Sequence, residues 1–472
     1  MSATQTRKVA GPASSSEAEA VTVTRCRWAR LADDDAGRLV RTGVAPAVVG
    51  TGEDPVVFPQ RPGGLDWLLG PAAAEAARSP DAFQATVFTP AEVPPSGAPL
   101  LIYLPGGGYV SGGASVRWYD GAELARASGA VVAVVGYRLG AAACFGADPQ
   151  ATAPLIEDVL AGIGWAIDHA RHFGANPDDV TLAGHSAGAW LAFLAAQDPE
   201  LAPRVRRLAL YSLPFQPPPG PQGSLERRRI LDGFLAGEDP SRADADLLSA
   251  ATAAVNKAWA GRGLGVQPLA GGALPIDVQD WTAAVARLRV EQVLLATTAH
   301  EARGFFPPTT APEVTDAAAA AFRAAHFARP DERPSGGTAW ERMTADFTEH
   351  QFASVARELA AKLGNTGVAV HVSRFDFPAQ VNGAGSPHCL DVPFLFGNLR
   401  SWQDAPMLAG LEAGAFETIA AAWRDPLVRA LSGQEVSTRP GEIRSVALEA
   451  GVPRIVEMPD AAGGSPVRRA EP

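Results

Sequence analysis

The chain has 472 residues, 47% hydrophobic and 19% charged, which supplies a large core and too little charge for wholesale disorder. A net charge of −11 disfavours nucleic acid or an anionic membrane as the main partner, and no apolar run has the length of a transmembrane helix. Three scattered cysteines, Cys26, Cys144 and Cys389, are too few for a disulfide framework; with no C-x-x-C or H-E-x-x-H spacing, no metal site is implied.

In chain order, Met1 to Ala20 is aperiodic, rich in Ser, Ala and Glu, and lacks the apolar centre of a secretory signal. It reads as a mobile tail, and the chain as a cytoplasmic protein, with a secreted form stripped of its signal as the alternative. Pro99 to Leu104 reads as a buried strand that runs straight into Pro105-Gly106-Gly107-Gly108-Tyr109, and a second apolar strand, Ala130 to Val135, follows soon after. Three glycines would serve as a flexible linker elsewhere. Between two core strands they suggest a loop whose bare backbone lets N–H groups approach a substrate oxygen.

Asp179 to Ala183 is strand-like, Ala189 to Ala195 is helix-like, and between them stands Gly184-His185-Ser186-Ala187-Gly188. This is a G-x-S-x-G turn in the strand-to-helix context that a nucleophile elbow requires. Residues without Cβ relieve the crowding, and Ser186 sits over a helix N-terminus that favours developing negative charge. Further on, Leu208 to Tyr211 is strand-like, and the Pro/Gly-rich stretch Pro214 to Gly223 opens an insertion, about 214–290, helical from Leu225 to about Ala260. The insertion is expected to lie over the site as a lid or pocket wall. Another apolar strand precedes His300-Glu301, the Ala/Glu/Asp-rich span Pro312 to Lys362 reads as helices, and Val368 to Val372 reads as a strand. Pro459 to Pro472 reads as a second mobile tail, leaving 21–458 as one catalytic domain.

Several of these segments together resemble the type-B carboxylesterases, the family of cholinesterases and para-nitrobenzyl esterases. Ser79 to Pro90 is similar to the family's S-E-D-C-L-x-L-N-V-x-T-P strand, Pro105 to Tyr109 to its H-G-G-G-F, and Gly136 to Gly140 to its N-Y-R-L-G. Phe173 to Gly188 is similar to F-G-G-D-P-x-x-V-T-x-x-G-E-S-A-G, and Gln267 to Pro275 to P-V-V-D-G-x-x-L-P with the aspartate replaced. The resemblance implies an α/β-hydrolase fold, with a mostly parallel central sheet flanked by helices. It also implies a serine hydrolase of carboxylic esters that needs no cofactor. Among 51 acidic residues it selects Glu301, within a segment similar to L-L-x-G-x-N-x-D-E-G-x-x-F. Among eight histidines it selects His388, in Gly383 to Gly397, similar to G-A-x-H-x-x-D-L-P-F-V-F-G. The order Ser186, Glu301, His388 is the order of this fold. The remaining candidates His169, His172, His185 and His300 read as structural or pocket-lining. The implied oxyanion donors are the N–H groups of Gly107, Gly108 and Ala187, and Tyr109, Trp118 and His185 are candidate pocket walls, with Trp67 nearby.

The departures carry their own expectations. Pro105 replaces a histidine and stiffens the glycine loop, Pro80 replaces a salt-bridging glutamate, and Ala82 replaces a disulfide cysteine. His185 stands where many relatives have glutamate, which removes a negative charge from the pocket floor and weakens attraction for cationic alcohols. Cys389 beside His388 reads as a packed cysteine. An acyltransferase, lactonase or amidase could use the same triad, and a non-catalytic binding protein is the remaining class. Physiological substrate and oligomeric state stay open.

Overall fold

The computed structural model describes residues 7–9, 21–34, 39–43, 55–146, 148, 150–238, 240, 242–260, 263–449, 452–459 and 467–469. Its frame is an eleven-stranded sheet. The strands in chain order are β1 (Arg7–Val9), β2 (Val21–Arg27), β3 (Gln84–Thr89), β4 (Ala98–Leu104), β5 (Val131–Val135), β6 (Ala175–His185), β7 (Arg207–Tyr211), β8 (Gln292–Thr298), β9 (Ala369–Asp376), β10 (Glu442–Glu449) and β11 (Val452–Pro459). In space they run β1-β2-β3-β5-β4-β6-β7-β8-β9-β10-β11. From β5 through β10 every pairing is parallel; the pairings at both flanks are antiparallel.

Central strands read as continuous apolar runs because both of their faces are covered. Leu100, Ile102 and Leu104 of β4 enter one core, with Val180 and Leu182 of β6, while Leu101 and Tyr103 enter the other with Ala183 and Tyr211. Helices α1 (Pro154–Asp168) and α2 (Ala187–Ala195) seal the first core. The last helix, Ala413–Leu431, seals the second through Phe416, Ile419 and Trp423.

The expected insertion forms α3 (Pro221–Leu235), α4 (Ala245–Ala258) and a short helix over Trp281–Arg287. α3 starts with proline in its first turn, where a missing N–H costs nothing, and stops at Ala236 and Gly237, both at positive φ. Further helices run over Ala339–Thr348 and Ser354–Leu363, joined through a π-helical turn at Glu349–Ala353.

The ends depart from the expected tails. Within 1–20, Arg7–Val9 pairs with β2, and the rest lies outside the described residues. Near the C-terminus, Pro459 closes β11, Val467 bridges Phe327, and the Arg468 N–H donates to the His326 carbonyl at 2.8 Å. Arg469 donates to the His350 carbonyl at 2.7 Å and meets Glu358 at 3.2 Å. The partners that hold this segment lie more than a hundred residues upstream, so the local composition carries no trace of them.

Candidate active site

The parallel pairing of β4 with β6 sets Tyr103 opposite Ala183 and Leu104 opposite Gly184. The glycine loop and the serine turn therefore leave the sheet side by side at its carboxyl edge, where ligands of parallel sheets bind. Ser186 has φ 56 and ψ −125, a conformation costing a non-glycine residue about 1–3 kcal/mol. Its N–H donates to the Tyr211 carbonyl at 2.8 Å, and α2 begins at the next residue. The flanking glycines are steric requirements: a Cβ on Gly184 would collide with the Gly188 carbonyl, and one on Gly188 with the Leu104 and Pro105 carbonyls. The expected strand-to-helix turn at residues 184–188 is present.

Gly107 and Gly108 also lie at positive φ, as does Tyr109. The turn closes through Val110 and Ser111 N–H groups donating to the Gly107 carbonyl, which leaves the N–H groups of Gly107 and Gly108 out of that turn. Gln60, unmarked in the sequence reading, clamps the loop: it accepts from the Gly112 N–H at 2.7 Å and donates to the Gly112 carbonyl at 2.8 Å. The Tyr137 hydroxyl donates to the Pro105 carbonyl.

Glu301 is fully buried just beyond β8. Its carboxylate accepts from the Ser212 hydroxyl and the Thr298 N–H, each at 2.7 Å, and meets His388 Nδ1 at 2.5 Å. Burial alone would raise this carboxyl, but the imidazole and the two donors overcome it and hold it below the usual range. His388 is buried between Phe305 and Phe352, with ring centroids at 4.8 and 5.1 Å. The π-helical turn sets Phe352 there, and Gln351 in the same turn exchanges hydrogen bonds with Phe215. His300 is structural: its Nδ1 accepts from the Ser386 N–H at 3.1 Å, tying the Glu301 loop to the His388 loop.

The His185 ring, from the residue before Ser186, lies 4.7 Å from the His388 ring. Cys389, half-buried and at φ 71, lies beside them, its Sγ 3.8 Å from His185 Nδ1. On the far side of His185, Nε2 approaches the buried Asp391 carboxylate at 3.3 Å. Burial lowers the affinity of both imidazoles for a proton, but their acidic neighbours more than offset it. His388 is pushed up to about 9 by Cys389 and Glu301, and His185 also rises, through Cys389 and Asp391. The Cys389 thiol, raised by burial, is brought down to about 7 by the two imidazoles. The ligand atoms of His185, His388 and Cys389 all lie within 4.8 Å of one another. Cys389 packs against the second core, as the sequence reading has it, and also meets two imidazoles that only the fold assembles beside it.

Two expected pocket residues occupy packing positions. Trp118 is buried and stacks on Trp402 at 5.6 Å, and Tyr109 is buried edge-on to Trp190 with its hydroxyl donating to Gln216 at 3.0 Å. Trp67 donates to the Gly304 carbonyl at 3.2 Å. A cavity of about 1040 Å³ opens between α3, α4 and the glycine-loop residues Val110 and Ser111; Ser186 and His388 are not among its lining residues. Sequence reasoning missed Ser212 and Phe352, which no local motif distinguishes, and gave no role to Phe305, the last residue of the Glu301 segment.

With that geometry in place, comparisons with known proteins become informative. Residues 67–212 match the model of the carboxylesterase family. A probable N-octanoylanthranilate hydrolase of Rhodococcus erythropolis is 28% identical over 365 residues, 75% of this chain and 76% of that protein. The acetylcholinesterase of Electrophorus electricus is 33% identical over 179 residues, 36% of this chain and only 28% of that enzyme. A PNB esterase structure superposes with a TM-score of 0.77 at 19% identity, covering 94% of this chain and 95% of the other. A thermophilic PNB esterase gives 0.75 at 20% identity, covering 93% and 94%.

Proposed function

We infer that this chain is an ester hydrolase of the carboxylesterase family, on the α/β-hydrolase fold, and that it cleaves esters through a Ser186-His388-Glu301 triad and an acyl-enzyme intermediate. The observation that carries this reading is the buried Glu301–His388 pair at 2.5 Å, on loops that bring His388 against the residue preceding Ser186.

Ser186 Oγ attacks the ester carbonyl carbon while its proton passes to His388 Nε2, and the carbonyl π electrons move onto oxygen. N–H groups of Gly107, Gly108 and Ala187 hold that oxyanion. The tetrahedral species collapses, the C–O bond to the alcohol breaks, and the alcohol leaves with the proton from His388. Water then repeats the sequence, frees the acid and restores Ser186. Glu301 holds the Nδ1–H tautomer and stabilises the imidazolium.

The substrate is a small-molecule ester. The long match to the probable N-octanoylanthranilate hydrolase of Rhodococcus also brings amides into view, since that protein's name is that of a hydrolase of an N-acyl compound. Among the described residues no helix is long and apolar enough to cross a membrane. A fluorophosphonate should label one residue stoichiometrically, located by peptide mass spectrometry at Ser186. Equal labelling of Ser186→Ala would overturn the reading. A substrate screen over esters, lactones, amides and added alcohol acceptors then separates hydrolysis from acyl transfer.

A further inference from the structure

The triad leaves Cys389, His185 and Asp391 without a task. We propose that Cys389, His185 and His388 form a binding site for a thiophilic, tetrahedral divalent cation of the zinc class, and that its occupation switches off hydrolysis. One sulfur and two imidazole nitrogens with an open fourth position are a donor set suited to such an ion.

Three observations point to a ligand here. Sγ of Cys389 is 3.8 Å from Nδ1 of His185, against about 3.6 Å for a sulfur and a nitrogen on one tetrahedral zinc at ordinary bond lengths. The three donor atoms already lie within 4.8 Å of one another. Each imidazole has a carboxylate on one nitrogen: Glu301 at His388 Nδ1 and, on the nitrogen away from Cys389, Asp391 at His185 Nε2. Such carboxylate–histidine pairs fix the ring and raise the basicity of the metal-facing nitrogen. Asp391 is fully buried, and neither of its carboxylate oxygens has a hydrogen-bond partner. A cation across the His185 ring would compensate that charge.

Binding is a balanced exchange. The Cys389 S–H bond breaks and any proton held on the metal-facing nitrogen of His185 or His388 is lost as well, all of them to solvent; sulfur and the two neutral imidazoles then donate electron pairs to the metal, and nothing is oxidised. His388 Nε2 then has no lone pair for the Ser186 proton. The loss of turnover rests on the proposed role of His388 as base, whereas the binding does not.

The full chain is titrated with cadmium and zinc, following the ultraviolet thiolate-to-cadmium absorbance and ester turnover in parallel. One equivalent of cadmium should produce the thiolate band, and zinc should inhibit reversibly on addition of a chelator. In Cys389→Ser the band should vanish while the buried Cys26 and Cys144 remain. The zinc midpoint, measured against each variant's own untreated rate, should rise about 100-fold in Cys389→Ser and about 10-fold in Asp391→Asn. A band that persists in Cys389→Ser, no band in the parent chain, or zinc inhibition unaltered in both variants overturns the site. A normal band with unaltered turnover upholds the site and overturns instead the role of His388 as base.

Discussion

Glu301–His388 and Asp391–His185 are built from the same parts and flank one thiol, yet the fold treats them differently. Glu301 receives donors from Ser212, Thr298 and His388, whereas neither carboxylate oxygen of Asp391 receives any. The first imidazole is at 2.5 Å from its carboxylate and the second at 3.3 Å. A carboxylate surrounded by donors keeps its charge and its position through a reaction cycle. One with no other partner is suited to answering a change of charge on its imidazole. Chemical identity alone therefore does not assign a role; satisfaction of the surrounding lone pairs does.

The sharpest way to break this comparison is to remove each imidazole in turn. His388→Ala should lower kcat by about 10⁴ to 10⁶-fold and Glu301→Gln by about 10³ to 10⁴-fold, whereas His185→Gln and Asp391→Asn should cost less than about tenfold. Steady-state kinetics with a chromogenic ester decides it, and equal losses on both sides would erase the distinction. Ser212→Ala tests what holds Glu301: a buried carboxylate deprived of one donor should destabilise the fold by about 1–3 kcal/mol, read as a lower midpoint in chemical denaturation.

A smaller effect concerns pH. The base must be neutral, so kcat/KM should rise as pH approaches the His388 value of about 9. The thiol of Cys389 is one cause of that elevation, so in Cys389→Ser the rising limb should move to lower pH. An unmoved limb would show that the thiol does not act on the base. The smallest effect concerns specificity. Histidine at 185 places an imidazole rather than a carboxylate beside Ser186, and its rise comes from Cys389 and Asp391. A neutral isostere should therefore be preferred to a choline ester by kcat/KM, since an aromatic face contributes only about 0.5–2 kcal/mol to holding a cation. His185→Glu should move the ratio toward the cation.

The amino-acid sequence by itself determined the sheet-and-helix plan and the elbow, because these rest on short-range rules. Runs such as Leu100 to Leu104 admit little but a doubly covered strand, and Gly184 and Gly188 leave room that any side chain would fill. Residues 105–109 and 184–188 were legible for the same reason: their function depends on backbone conformation that local sequence dictates. What only the tertiary structure decided is which distant side chains meet. Ser212 reaches Glu301 because β7 and β8 pair in register, with Tyr211 opposite Ala296. Phe352 faces His388 because a π-helical turn rotates it there, and Cys389 meets His185 across 204 positions of chain. Such contacts are set by register and packing between elements, and along a strand such as β7 or β8 a shift of one residue would turn each side chain to the opposite face.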